Sequence, residues 1–322
     1  MKRLLVNDAM NQLGETTFWT LLKDWFGMEF IGGDYATLAK KAEEAIQPNN
    51  QSLIVRNGSY FGPIMVDPVY ASSFVPTISI IQDIFTEGSA REMQKAVMAS
   101  SSMVVFNSGY CASKYLTVEY PVHHITIPLP VDFSVFEPGN PMGLQQALSL
   151  PDGCICWIGA CREAGHIKGW DIFIQIARLN PDLHFVAVLK DAMPDSVPPN
   201  VRCYVRLSHD ELVKVIGACR VGLCTSRMES QHLAGIEMGA CGLPLVVPNV
   251  GTYWNRKDID GVIIEPSAPE PVQVLMYGQA IRVLLSGQCN TDGIRAYWQR
   301  EFDVPVIRAA WEKLVEEVEC ES

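Results

Sequence analysis

Apolar residues in this chain fall into short runs bounded by turn residues, and between the runs lie longer stretches with apolar positions every three or four residues. The first pattern fits strands buried on both faces, and the second fits helices that cover them. In the first half, strands are expected at 3–6, 28–31, 52–56, 77–81 and 103–107, and helices at 16–25, 35–45 and 90–99. A further apolar run at 125–130 leads into Phe136-Glu-Pro-Gly-Asn-Pro-Met-Gly143, whose proline and glycine density reads as a linker. The alternation then restarts. Strands are expected at 154–158, 184–189, 200–204, 221–224, 245–247 and 262–264, and helices at 169–179, 209–218, 233–240 and 271–286. Ser208 is placed to cap the helix that begins at His209, and a charged helical end covers 297–300 and 306–319. Strands alternating with helices imply parallel sheets, so the fold class is α/β with two open units, and ligands in such sheets bind at the carboxyl ends of the strands.

Composition narrows the picture. With 322 residues, 48% hydrophobic and 19% charged, the chain has core material for two domains. The net charge of -11 argues against a general polyanion-binding surface. No apolar window is long enough for a membrane span, and the start MKRLLVNDAM lacks the apolar core of a secretory signal. Ten cysteines occur without a C-x-x-C pair, which reads as reduced thiols, several in the core, and a cytoplasmic location.

The segment that carries most chemistry is Glu229-Ser-Gln-His-Leu-Ala-Gly-Ile-Glu237. A helix starting near His232 and Leu233 offers free backbone N–H groups and a positive dipole end to an anion. Glu237, one turn further in, suits a pair of neighbouring hydroxyls such as those of a ribose. Glu229 lies in the preceding loop, where a sugar attached to the phosphates would project. Directly after the strand at 154–158 come Arg162 and Lys168, two cations suited to one diphosphate and to the charge on a departing nucleoside diphosphate. Asn11-Gln-Leu-Gly14-Glu15 follows the first strand, and a glycine there allows close backbone approach to a ligand. Asp258-Ile-Asp260 has the spacing of a metal-binding D-x-D but sits in a polar loop, and adjacent His123 and His124 in a strand face opposite sides.

Together these residues resemble the retaining GT-B glycosyltransferases, specifically the glycogen-synthase- and mannosyltransferase-like group. Ile127-Pro-Leu-Pro-Val-Asp-Phe-Ser-Val-Phe-Glu-Pro138 is similar to its interdomain segment, Arg162 and Lys168 to its diphosphate-binding pair, and Glu229 and Glu237 to its E-x(7)-E motif. Ala240-Cys-Gly-Leu-Pro244 and Val250-Gly251 match the motif's tail and the glycine turn that follows. The resemblance implies two Rossmann-like domains facing a cleft: an acceptor domain over 1–130, a nucleotide-sugar domain over 131–300, and a C-terminal helix at 301–322 that packs back on the first. It implies a nucleotide-diphosphate sugar as donor, a hydroxyl acceptor (carbohydrate, small molecule or DNA), no cofactor and no essential metal. Catalysis would fall to Arg162, Lys168, Glu229, Gln82 and Asp83. Donor binding would fall to Gly14, Glu15, Tyr204, Gln231, His232, Leu233 and Glu237. Two departures stand out. Gln82-Asp83 replaces the family's His-Asp, so an amide able to position a sugar but unable to exchange a proton stands where an imidazole is usual. Ser230-Gln231-His232 replaces Gly-Phe-Gly, which alters the donor-sugar pocket. Other readings are a phage-type enzyme that glycosylates hydroxylated DNA bases, using Lys23, Lys40, Lys41, Arg56, Arg91, Lys95 and Lys114, an inactive GT-B binding protein, and a GT-B-like epimerase.

Overall fold

The computed structural model describes residues 2–6, 13–31, 52–57, 76–116, 122–162 and 164–320. The helix expected at 35–45 lies outside these residues, and so do Asn11, Gln12, Lys40 and Lys41. The chain divides into two compact units, Met1–Pro130 with Pro305–Ser322, and Val131–Val304.

The first unit holds a parallel sheet built from β1 (Lys2–Val6), β2 (Glu29–Ile31), β3 (Ser52–Asn57), β4 (Thr77–Ile81), β5 (Met103–Phe106) and β6 (His124–Thr126), in the order β2-β1-β3-β4-β5-β6. Its helices include α1 (Leu13–Phe26), α2 (Gly88–Ala99) and the short α3 (Gly109–Ser113). Ile78, Ile80 and Ile81 of β4 and Val104, Val105 and Phe106 of β5 are all buried, as expected of strands covered on both faces. Gly14 and Glu15 fall in the first turn of α1, where only the backbone is described. The last helix, α11 (Val304–Cys320), buries Ile307, Trp311, Leu314, Val315 and Val318, a helical stripe, and Trp311 meets Phe18 of α1 at a ring-centroid distance of 6.0 Å. Arg3 of β1 reaches Glu319 of the same helix at 2.8 and 3.0 Å.

Arg56, one of the candidate DNA-facing cations, is buried instead. Its guanidinium bonds Ser79 Oγ at 2.6 Å, Val97 O at 2.9 Å and Ser100 Oγ at 2.8 Å, closing the carbonyl end of α2. Burial lowers its pKa to about 10, and a side chain only 3% exposed does not reach a nucleic acid. Arg91 is likewise turned to backbone, bonding Phe85 O and Lys114 O at 2.7 Å each, and Lys95 pairs with Glu92.

The second unit is a doubly wound sheet of β7 (Ile155–Gly159), β8 (Phe185–Leu189), β9 (Val201–Val205), β10 (Val221–Leu223), β11 (Leu245–Pro248) and β12 (Gly261–Ile264), in the order β12-β11-β10-β7-β8-β9 and parallel throughout. One face of β7 turns Cys154 and Cys156 into a core with Trp298, and the other turns Ile155 and Trp157 toward Phe173 and Tyr277. The helices are α4 (Pro141–Leu148), α5 (Gly165–Lys168), α6 (Trp170–Leu179), α7 (His209–Gly217), α8 (Leu233–Ala240), α9 (Glu270–Ser286) and α10 (Thr291–Phe302). Ser208 caps α7 with a full capping box, its Oγ accepting from Glu211 N while the Glu211 carboxylate accepts from Ser208 N. The stretch expected as a linker is partly helical. Asn140 caps α4 by accepting from Gly143 N, and Pro141 at the first helical position has a φ suited to the turn. The charged end at 297–300 is the last part of a longer helix, α10. Among the described residues, no helix is long and apolar enough to cross a membrane.

Candidate functional site

The site grows from the point where the strand order reverses. β7 and β10 are neighbours, but β8 continues to one side of β7 and β11 to the other side of β10. The two connections leaving their carboxyl ends therefore diverge around a crevice. One connection carries Arg162 and Lys168, and the other carries Glu229 and leads into α8.

The structure brings Lys168 and Glu229 together. Lys168 Nζ donates to both Glu229 oxygens, at 2.8 and 2.9 Å, and Ser226 Oγ donates to Oε1 at 2.7 Å. The Glu229 side chain is 8% exposed and that of Lys168 26%. Burial works to raise the Glu229 carboxyl, but the Lys168 ammonium, with the Ser226 hydroxyl, holds it below the ordinary carboxylate range. Lys168 owes its position to the end of α5. Gly169 takes φ 68°, and a Cβ there would lie 1.9 Å from Thr225 O. Thr225 Oγ1 sits 3.2 Å from Lys168 O and 2.9 Å from Gly169 O, donating to one of them, and accepts from Trp157 Nε1 at 2.9 Å. A threonine on the β10 connection thus pins the lysine-bearing turn of the β7 connection.

At the start of α8, His232 is the N-cap with φ 83° and provides no side-chain cap. The orphan amides of the first turn are thus uncapped by that side chain. The imidazole is turned inward, with Nδ1 2.7 Å from Tyr253 Oη, and burial lowers its pKa to about 4, so it is neutral. Gly235 makes this contact possible, because a Cβ there would lie 1.6 Å from Tyr253 Oη. Gly251, at φ 59°, starts the turn from which Thr252 N donates to Gln231 O at 2.9 Å. Gln231 is buried and Leu233 is half-buried. Glu237, also half-buried, lies in the second turn of α8. Burial pushes its carboxyl up to about 7, and it makes no hydrogen bond or ion pair among the described residues.

The other candidate residues lie elsewhere. Arg162 is not drawn to the Lys168–Glu229 pair. Its guanidinium bonds Asp195 at 3.0 Å and Met193 O at 3.3 Å, with the side chain 47% exposed. Asp191, at the end of β8, holds the backbone before it, accepting from Cys161 N and Arg162 N at 2.9 and 2.7 Å. Tyr204 on β9 packs against the core, and its buried Oη has no hydrogen-bond partner among the described residues. In the first unit, Gln82 and Asp83 follow β4 directly. The backbone there is held by Asn107 Nδ2 on Gln82 O at 3.3 Å and by Tyr115 Oη on Asp83 O at 3.0 Å. The Gln82 side chain is 4% exposed, yet neither amide atom has a hydrogen-bond partner among the described residues. Asp258, of the D-x-D spacing, accepts from Tyr297 Oη at 3.0 Å. Among the described residues, the group with metal-ligating atoms in mutual reach is Cys224, Glu229 and His232, whose donor atoms lie within 4.8 Å of one another.

No known protein-family profile matches the chain. The D-inositol 3-phosphate glycosyltransferase 1 of Catenulispora acidiphila is 26% identical over 229 residues, 63% of this chain and 53% of that protein. The D-inositol 3-phosphate glycosyltransferase of Mycolicibacterium gilvum is 23% identical over 197 residues, 55% of this chain and 44% of that one. The chain thus spans about half the length of the curated relatives it matches. Among solved structures, the sucrose-phosphate synthase of Thermosynechococcus elongatus superposes with a TM-score of 0.78 at 14% identity, covering 100% of both chains. HepE of Anabaena in complex with UDP does so with 0.74 at 15% identity, covering 98% of this chain and 100% of that one. The fold is the GT-B fold, two Rossmann-like α/β units.

Several residues that build this site do not stand out in the sequence. Ser226, three residues before Glu229, is the most accessible to inference, since a hydroxyl at that spacing in a tight loop can reach the carboxylate. Thr225, Tyr253, Asp191 and Gly235 act through tertiary contacts across 18 to 68 residues of chain and carry no local signal.

Proposed function

We propose that the chain is a glycosyltransferase that moves a sugar from a nucleoside-diphosphate donor to a hydroxyl acceptor, with retention of configuration and without an essential metal. The observation that carries this reading is the Lys168–Glu229 pair at the strand-order reversal, beside the uncapped start of α8 and the carboxylate of Glu237, which has no partner among the described residues. A diphosphate suits the α8 amides and Lys168, a ribose suits Glu237, and the sugar falls to Glu229. HepE has been solved with UDP, with UDP and glucose, and with UDP-glucose, and the curated relatives are named glycosyltransferases, which supports a nucleotide-sugar donor here. The site offers Lys168 to stabilise the departing diphosphate. Arg162 joins it on releasing Asp195, an exposed pair of little intrinsic strength. In the first unit, Gln82 keeps a buried amide, donor and acceptor at once, with no hydrogen-bond partner among the described residues.

The test is a panel of nucleotide sugars scored by thermal shift and by release of nucleoside diphosphate, with the product's anomeric configuration read by NMR and chelator present throughout. Stabilisation by a nucleoside diphosphate and turnover lost in Lys168→Ala are expected. Absence of both, or turnover that appears only when the chelator is left out, overturns the reading. The burial of Arg56 removes one of the cations that favoured a DNA acceptor.

A further inference from the structure

The Lys168–Glu229 pair sits beside two other side chains that a sugar site does not require. Cys224, at the carboxyl end of β10, is 2% exposed, and His232 is 7% exposed. Their donor atoms and a Glu229 oxygen lie within 4.8 Å of one another. Thiolate, imidazole and carboxylate are the three ligand types that zinc takes in proteins, and three protein ligands with a fourth position open is a recurrent arrangement. Around a tetrahedral zinc at those bond lengths, ligand atoms lie about 3.4–3.7 Å apart, so closing the trio needs side-chain adjustment and no refolding.

We propose that Cys224, Glu229 and His232 form a Zn2+ site that is mutually exclusive with the Lys168–Glu229 ion pair, so that zinc displaces the ammonium from the donor pocket. Glu229 already holds a cation, and the proposal is an exchange of one cation for another on that carboxylate. The surroundings supply the outer contacts a metal site uses. Tyr253 Oη lies 2.7 Å from His232 Nδ1, which fixes the ring, and Nε2 is the nitrogen assigned to the metal. Ser226 orients Glu229 in the same way. Binding then replaces the Cys224 S–H bond with an S–Zn bond, releases one proton to solvent, and parts the Lys168 ammonium from the Glu229 carboxylate.

The experiment uses the full chain with Cys289→Ser and Cys320→Ser, because those two thiols are exposed and bind metals non-specifically. Co2+ is the probe, followed by Zn2+. A thiolate-to-cobalt charge-transfer band with tetrahedral d–d absorption is expected, displaced by one Zn2+ per chain and absent in Cys224→Ser. His232→Gln is expected to keep the thiolate band but weaken metal binding on the order of ten- to a hundredfold. It also serves as the deciding variant if Cys224→Ser does not fold. Lys168→Gln is expected to tighten zinc at least about tenfold, the competing buried ion pair being gone. No thiolate band, a band that survives Cys224→Ser, His232→Gln binding zinc as the parent does, or zinc affinity unchanged in Lys168→Gln each overturns the proposal. None of these measurements uses a nucleotide, so a chain that binds zinc but no nucleoside diphosphate keeps the metal site and loses the donor reading.

Discussion

Glu229 shows how a single residue can be both costly and necessary. A carboxylate at 8% exposure is tolerable because Lys168 and Ser226 meet it directly, and removing the lysine leaves an uncompensated buried charge. Lys168→Met is therefore expected to cost about 2–4 kcal/mol in urea unfolding. Lys168→Met/Glu229→Gln should be milder than the sum of its singles, because the second change removes the charge the first one strands. Additivity within about 0.5 kcal/mol would show that the two do not interact. Gly235 is the complementary case. It has no chemistry, but a methyl there would overlap Tyr253 Oη, so Gly235→Ala should break the His232–Tyr253 contact and destabilise by about 1–3 kcal/mol, with Tyr253→Phe milder. The site is partly legible at this scale. Lys168, Glu229 and Glu237 are visible as charges at strand exits and a helix start. That Lys168 binds Glu229, and that Arg162 turns to Asp195, is not, because the partners are separated by 61 and 33 residues and only the sheet order decides who meets whom.

At the scale of elements, α8 is the one on which the functional reading turns. Its start is uncapped by His232, and Glu237 one turn in is held in a desolvated place without a partner among the described residues. The folded-state pKa of about 7 lies above the ordinary value of 4.5, so the folded chain holds that proton longer than the unfolded one. Stability from this group is full below 4.5 and is lost as pH rises through about 7. Glu237→Gln, neutral throughout, should match the parent near pH 4.5 and exceed it above pH 7 in the absence of nucleotide, the gap in Tm opening between those values. With a nucleoside diphosphate present the order should reverse above pH 7 if, as proposed, the carboxylate accepts from the ribose. A constant gap across pH would remove the carboxylate from the account. The elements themselves are largely readable. α8 and β4 fall where the apolar pattern puts them, and the Ser208 cap is signalled by its own residue type. α4 escapes that pattern because Pro-Gly-Asn-Pro reads as a linker when glycine and proline are counted, and as a helix start only when Asn140 is taken as the cap and Pro141 as the first helical residue. α5 is too short to show a period.

At the scale of the whole molecule, the two units have separate cores, and the last helix belongs to the first of them although it follows the second in sequence. That topology makes a prediction neither sheet makes alone. Trp311 of α11 is fully buried and meets Phe18, while the core clusters of the second unit contain no residue of α11. Trp311→Ala should remove about 3–5 kcal/mol from the first unit and leave the nucleotide site intact. A ligand bound only by the second unit should stabilise that unit by about 2.7 kcal/mol at a hundredfold excess over Kd. In calorimetry the variant should therefore show an early transition that is indifferent to nucleoside diphosphate and a later one that the nucleotide moves upward by several degrees, at roughly 2–4 °C per kcal/mol. Loss of nucleotide binding in Trp311→Ala, with the second transition intact, would mean that the first unit supplies part of the binding energy. A single transition shifted as a whole by both the substitution and the ligand would mean that the two cores unfold as one.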